Sequence, residues 1–227
     1  MYKLVLAGLM FTSAACASPE HPGDSPSAPQ GRIVPGAAVA APADRATIAQ
    51  NNTGNRSSNQ TKPTAGKLVI MEFTDLECPD SAKYSSGLKS QIINQFVSSG
   101  AAEYEFHDFP LDSHPNARQA AAAARCAGDK VSSVRAAILQ SGGNVQSALA
   151  SAGVNGQSVQ SCIASGASLR AVDADRALGN SLGVRGTPTL IVGQRQADGT
   201  VKALKSLRPD KSPGTIMQEI AALTGGR

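Results

Sequence analysis

Six consecutive residues, Leu68-Val69-Ile70-Met71-Glu72-Phe73, are apolar but for one carboxylate, and Cys78-Pro79 follows five residues later. A run this short and this rich in β formers reads as a central strand covered on both faces. Pro79 suits the first position of a helix, where its missing N–H is not needed. A strand running into a helix, with a thiol at the junction, requires an α/β domain. The rest of the chain follows that plan. The helix opened by Pro79 extends to about Ser98, and Ala102 to Phe109 reads as a second strand. An Ala-rich helical block follows from about His114 to Leu182, broken at Gly128, Gly142-Gly143, Gly153 and Gly166. Thr189 to Val192 is a strand, Gln196 to Gly199 a turn, Thr200 to Leu204 a strand, and Ser212 to Leu223 a closing helix. The predicted order is β-α-β, a helical block, then β-β-α.

The residues before this domain have another texture. Lys3 precedes an apolar run, Leu4 to Phe11, and small residues follow it, which is the pattern of an export signal over residues 1–16. The run is too short for a spanning helix of roughly 20 residues. Ala14-Ala15-Cys16 resembles the end of a bacterial lipobox and makes Cys16 a lipid anchor, although Ser13 stands where that motif usually has Leu. Ala15-Cys16-Ala17 also reads as an A-x-A cleavage site, giving a soluble secreted protein. Residues 17–65 contain no aromatic residue and are dense in Pro, Ser, Ala, Gly and Asn. They bury too little apolar surface to offset their ordering entropy, so a disordered tether is expected. A pro-segment or plain spacer is the alternative. The expected location is the periplasm or cell envelope. The net charge of +4 is spread along the chain, which excludes a nucleic-acid patch, and four cysteines in 227 residues exclude a disulfide-dense mini-protein.

Four stretches carry a family resemblance. Glu72-Phe73-Thr74-Asp75-Leu76-Glu77-Cys78-Pro79-Asp80-Ser81 resembles the active-site stretch of DsbA-like thioredoxin-fold proteins. Phe109 to Ala117, Ala120 to Cys126, and Leu182-Gly183-Val184-Arg185-Gly186-Thr187-Pro188-Thr189 resemble three later segments of that family, in its order. The resemblance implies a thioredoxin fold over residues 66–227 with an inserted helical subdomain at about 114–182. It also implies a cis bond at Pro188, with Thr187 backbone groups near Cys78 for pairing with a substrate strand, and a buried Glu72 that assists proton movement at the thiol. Taken alone, Glu72 could equally be an acid at a strand end facing solvent. One departure matters: the family motif is Cys-Pro-x-Cys, and here its last position is Ser81.

A thiol at a helix N-terminus faces unsatisfied backbone N–H groups and the positive end of the dipole, which favours the thiolate. Glu77 and Asp80 act weakly the other way. Ser81, three residues on, can donate to the thiolate. Lacking a second cysteine in its motif, Cys78 can form a mixed disulfide whose release needs a further thiol. Cys126 and Cys162 lie in the helical block, and an exported compartment permits a bridge between them. Two small buried thiols are the alternative, and one of them resolving Cys78 is a third reading. His107 and His114 read as surface or capping residues, since no regular Cys/His spacing calls for zinc. No cofactor is implied.

The chain therefore reads as an exported monothiol thiol–disulfide protein acting through Cys78, with Ser81 and Glu72 as catalytic helpers and Pro79, Thr187 and Pro188 at the substrate. Its partners are exported protein thiols or disulfides, together with a low-molecular-weight thiol or a membrane redox protein. The rival is a redox-inert thioredoxin-fold module that binds peptides or acts as a chaperone.

Overall fold

The run from Leu68 to Thr74 forms strand β2, buried along its whole length. A computed structural model describes residues 65–225, and also Ala38–Val39, a two-residue strand (β1). The export signal, Cys16 and the rest of the expected tether lie outside the described residues. Helix α1 (Pro79–Ser86) follows β2, then α2 (Leu88–Ile92), a π-helical turn (Ile93–Val97) and strand β3 (Ala102–Asp108). The inserted block holds α3 (Ala117–Arg125), α4 (Val131–Gln140), α5 (Val145–Ser151), α6 (Gly156–Ala164) and α7 (Ala167–Ser181). Strands β4 (Thr189–Arg195) and β5 (Val201–Leu207) and helix α8 (Pro213–Leu223) complete the fold. The sheet order is β1-β5-β4-β2-β3, with β2 and β3 parallel and the other pairs antiparallel.

The period-2 geometry of β2 divides the core. Val69, Met71 and Phe73 face Phe109, Leu111, Leu182, Val184 and Cys78. Leu68 and Ile70 face Tyr84, Leu88 and Ile92 of α1 and α2, and Ile216 and Ile220 of α8. A third cluster fills the insertion, where Ala120 to Ala124 of α3 are all buried. Alanine makes this possible, because a side chain of one methyl lets neighbouring helices approach α3 on every side.

The single helix expected from Pro79 to Ser98 is instead interrupted at Gly87, whose φ of −129° and ψ of −90° are not helical. Glycine weakens a helix interior, and the chain resumes in α2 and then underwinds through the π-helical turn. The expected strand ends also move. β4 runs on to Arg195, and β5 occupies Val201–Leu207 rather than 200–204. The capping reading of His114 is not met, because the N-cap of α3 is Asn116.

Candidate active site

Cys78 stands at the N-cap of α1 with extended backbone angles, and Pro79 occupies the first helical position. No side chain caps this helix, so its leading N–H groups remain directed at the residue that begins it. Cys78 is buried, at 1% exposure, and is disulfide-bonded in this structure. The Thr187–Pro188 peptide is cis, and the Thr187 carbonyl oxygen lies 3.4 Å from Cys78 Sγ. The fold thus brings together two segments 109 residues apart. Ser81 and Thr187 are both buried, and among the described residues neither hydroxyl has a hydrogen-bond partner. Each remains able to donate to a charged sulfur.

Glu72 is completely buried, so the solvent-facing reading of it does not hold. It lies one position from Phe73 on β2 and therefore points to the opposite face of the sheet. There Thr74 Oγ1 donates to its Oε1 at 2.6 Å, while Lys89 Nζ at 2.7 Å and Tyr104 OH at 2.6 Å donate to its Oε2. Burial pushes this carboxyl up, but the Lys89 charge and the three donors outweigh it and hold it below its ordinary value. Burial and the Glu72 charge raise the Tyr104 hydroxyl well above the usual phenol range, and the Tyr84 hydroxyl, 2.8 Å away, likewise.

The turn between β2 and α1 holds a further carboxylate, which sequence spacing alone does not single out. Asp75 is buried, its Oδ1 accepts the Glu77 N–H at 2.7 Å, and its Oδ2 accepts the Leu111 N–H at 2.8 Å. His114 Nδ1 lies 3.0 Å from the same Oδ2, and the Asp75 carbonyl accepts the Cys78 N–H at 3.3 Å. Burial pushes the Asp75 carboxyl above its ordinary value despite the opposing hydrogen bonds from Leu111 and Glu77 and the nearby His114 imidazole. Glu77 completes the brace: it accepts the Asn116 N–H at 3.0 Å and packs against Gly143. An acid at a turn, followed by a histidine 39 positions later, is not a motif that spacing reveals.

His107 is likewise no surface residue. Its Nδ1 lies 2.9 Å from Asp175 of α7 and its Nε2 3.5 Å from Glu105, and its ring stacks on Phe73 at 4.9 Å. Arg125 of α3 pairs with both Asp108 and Asp175, and Arg135 of α4 reaches Asp108 at 3.1 Å. The reason is register. His107 and Asp108 end β3 just where the insertion packs over it, so charged side chains there are covered and must be paired. Cys126 and Cys162 are joined in a disulfide that ties α3 to α6.

A parallel β2–β3 pair, an antiparallel β4–β5 pair, a cysteine starting α1 and a cis-proline opposite it define a thioredoxin-fold site carrying a helical insertion. The sequence model of the thioredoxin family matches residues 62–207, and the chain belongs to that family. No curated protein matches the chain by sequence. Solved structures of low identity share the fold. Wolbachia pipientis alpha-DsbA1 is 19% identical, with a TM-score of 0.60 over 78% of this chain and 96% of its own. Pseudomonas aeruginosa DsbA2 is 23% identical, with a TM-score of 0.54 over 72% and 97%. The thiol-disulfide exchange protein alpha-DsbA2 of W. pipientis is 18% identical, with a TM-score of 0.52 over 79% and 95%. The fold is that of the DsbA-like thiol–disulfide oxidoreductases. No helix among the described residues is long and apolar enough to cross a membrane.

Proposed function

We propose that this chain is an exported thiol–disulfide oxidoreductase that works through Cys78 on mixed disulfides, or on single thiols, of extracytoplasmic proteins. One observation carries the reading: Cys78 Sγ sits at the start of α1 and 3.4 Å from the carbonyl oxygen of Thr187, beside the cis Thr187–Pro188 bond. The shared fold with alpha-DsbA2 of W. pipientis, a thiol-disulfide exchange protein, agrees with it.

In this reading the reduced Cys78 thiolate attacks one sulfur of a mixed disulfide R–S–S–R′. The Cys78–S–S–R bond forms as the old S–S bond breaks, and R′–S⁻ leaves and takes a proton from solvent. A second thiolate, from the substrate or from a low-molecular-weight thiol, then attacks the R sulfur and returns Cys78 as thiolate. The α1 N–H groups and the Ser81 hydroxyl stabilise the thiolate in both steps. Pro79 and Pro188 shape the two sides of the site, and Thr187 offers backbone groups to a substrate strand. Glu72, ionised at rest, is in this reading the acceptor of the proton that the Cys78 thiol gives up before its attack. Export by residues 1–16 and lipid anchoring at Cys16 belong to the same reading and rest on the sequence.

The test is release of glutathione from a glutathionylated peptide by the reduced full chain. Cys78→Ala is expected to lower the rate at least 100-fold, to background. An unchanged rate in Cys78→Ala overturns the reading. Ser81, standing where the family has its second thiol, favours the rival peptide-binding module. Peptide binding that survives Cys78→Ser, with no release by the wild type, decides for that rival.

A further inference from the structure

The Cys78 turn is braced by a buried acid and a partly exposed imidazole that nothing in the thiol chemistry above employs. We propose that Asp75 and His114 are positioning residues for Cys78, with the charge on His114 setting how readily the thiol ionises. The inference rests on the reading of Cys78 as the reactive thiol and adds to it a residue pair that tunes that thiol.

The geometry links three elements. Through its carboxylate Asp75 holds Glu77 N–H of its own turn and Leu111 N–H of the loop after β3, and through its carbonyl it holds Cys78 N–H. Leu111 lies in the same apolar cluster as Cys78. His114, with its side chain 20% exposed, bridges from Asp75, which is wholly covered, toward solvent. A buried negative charge three residues from the sulfur disfavours the thiolate, and a protonated imidazole against that charge offsets it. Burial already raises the Asp75 carboxyl, so a neighbouring cation has a direct effect on its state.

The other charges around the site have partners of their own. Glu77 accepts from Asn116, Asp80 pairs with Lys83 at 3.2 Å, and Asp112 pairs with Arg176 of α7 at 2.6 Å. Glu72 is held by Lys89 on the face of the sheet that α1 and α2 cover. His114 is thus the ionisable base in direct contact with the acid of the Cys78 turn.

The experiment follows alkylation of Cys78 by iodoacetamide against pH in the reduced full chain, read at the Cys78 peptide by mass spectrometry. His114→Gln, which carries no charge, is expected to shift the midpoint upward by about half a unit to one unit, the size of one charge acting at partial exposure. Below the midpoint this appears as alkylation slower by about three- to tenfold. His114→Lys keeps a fixed charge and is expected to restore a midpoint at or below that of the wild type. Asp75→Asn, added to His114→Gln, removes the charge that needed offsetting and is expected to reverse the shift. Superimposable profiles for wild type, His114→Gln and His114→Lys overturn the proposal, as does a fall in thermal stability with no movement of the midpoint. Because the assay has no disulfide substrate, a failure here is separate from a failure of disulfide exchange in the Cys78→Ala test.

Discussion

Ser81 shows how one residue separates chemistry from architecture. Its backbone lies in the first turn of α1, three residues after Cys78, and its side chain is completely buried. A thiol fits where this hydroxyl sits, since sulfur adds little volume and no hydrogen bond among the described residues is lost. Ser81→Cys is therefore expected to leave the fold intact and to create a motif that closes on itself. Its signature is a disulfide between positions 78 and 81 of the reoxidised variant, read by peptide mapping, which the wild type cannot form. The motif Cys78-Pro79-Asp80-Ser81 was readable from the sequence, as was the match of Gly186-Thr187-Pro188 to a cis-proline segment. The Asp75–His114 contact was not, because it depends on how the loop after β3 folds back over the β2–α1 turn.

At the level of elements, the β4–β5 hairpin carries one residue whose identity its packing dictates. The register shifts between Val192 and Gly193, and at Gly193 a Cβ would lie 2.6 Å from the backbone oxygen of Lys202 and 2.6 Å from a methyl of Val201. Backbone cannot step aside as the end of a flexible side chain can. Gly193→Ala is expected to lower stability by about 1–3 kcal/mol, the usual cost of overpacking. Urea titration measures that loss, and faster amide exchange across 201–203 locates it at this hairpin. The strands and helices themselves were legible from periodicity and punctuation. The break at Gly87 was not, since a lone glycine is tolerated within many helices, and what decides is the packing of Tyr84 and Leu88 against the sheet.

Across the whole molecule, buried charge joins the helical insertion to the sheet. Asp108 and His107 of β3 meet Arg125, Arg135 and Asp175 from α3, α4 and α7, and Arg195 of β4 joins through Glu105 and Glu103. Burial lowers the His107 imidazole, but Asp175 and Glu105 outweigh it and raise it to about 10 from an ordinary 6.5. Burial raises Glu105, but His107 and Arg195 outweigh it and hold it at about 2, against an ordinary 4.5. For His107 the folded protein binds the proton more tightly than the unfolded chain. Its stabilisation is complete below pH 6.5 and is lost as pH rises toward 10. For Glu105 the sign is reversed: the contribution is complete above pH 4.5 and is lost as pH falls toward 2. The urea midpoint of the wild type is expected to decline from pH 6.5 to 10, and His107→Gln is expected to flatten that slope. A slope that stays the same in His107→Gln counts against this account. The disulfide between Cys126 and Cys162, 36 residues apart, adds about 3–4 kcal/mol through the unfolded chain.

The run at Leu68 and the cysteine at its end were enough to determine a covered strand, a helix started by proline and a thiol at their junction. Those outcomes depend on local backbone preference and on which residues must leave water, and both are written in sequence order. Tertiary structure alone decided the surroundings of Cys78: the Thr187 carbonyl 109 residues away, the burial of Glu72 under Lys89 and Tyr104, and the pairing of Asp75 with His114. Charges and hydrogen bonds act through space over a few ångströms. Which of them meet depends on loop closure and sheet register, and neither leaves a periodic trace in the chain.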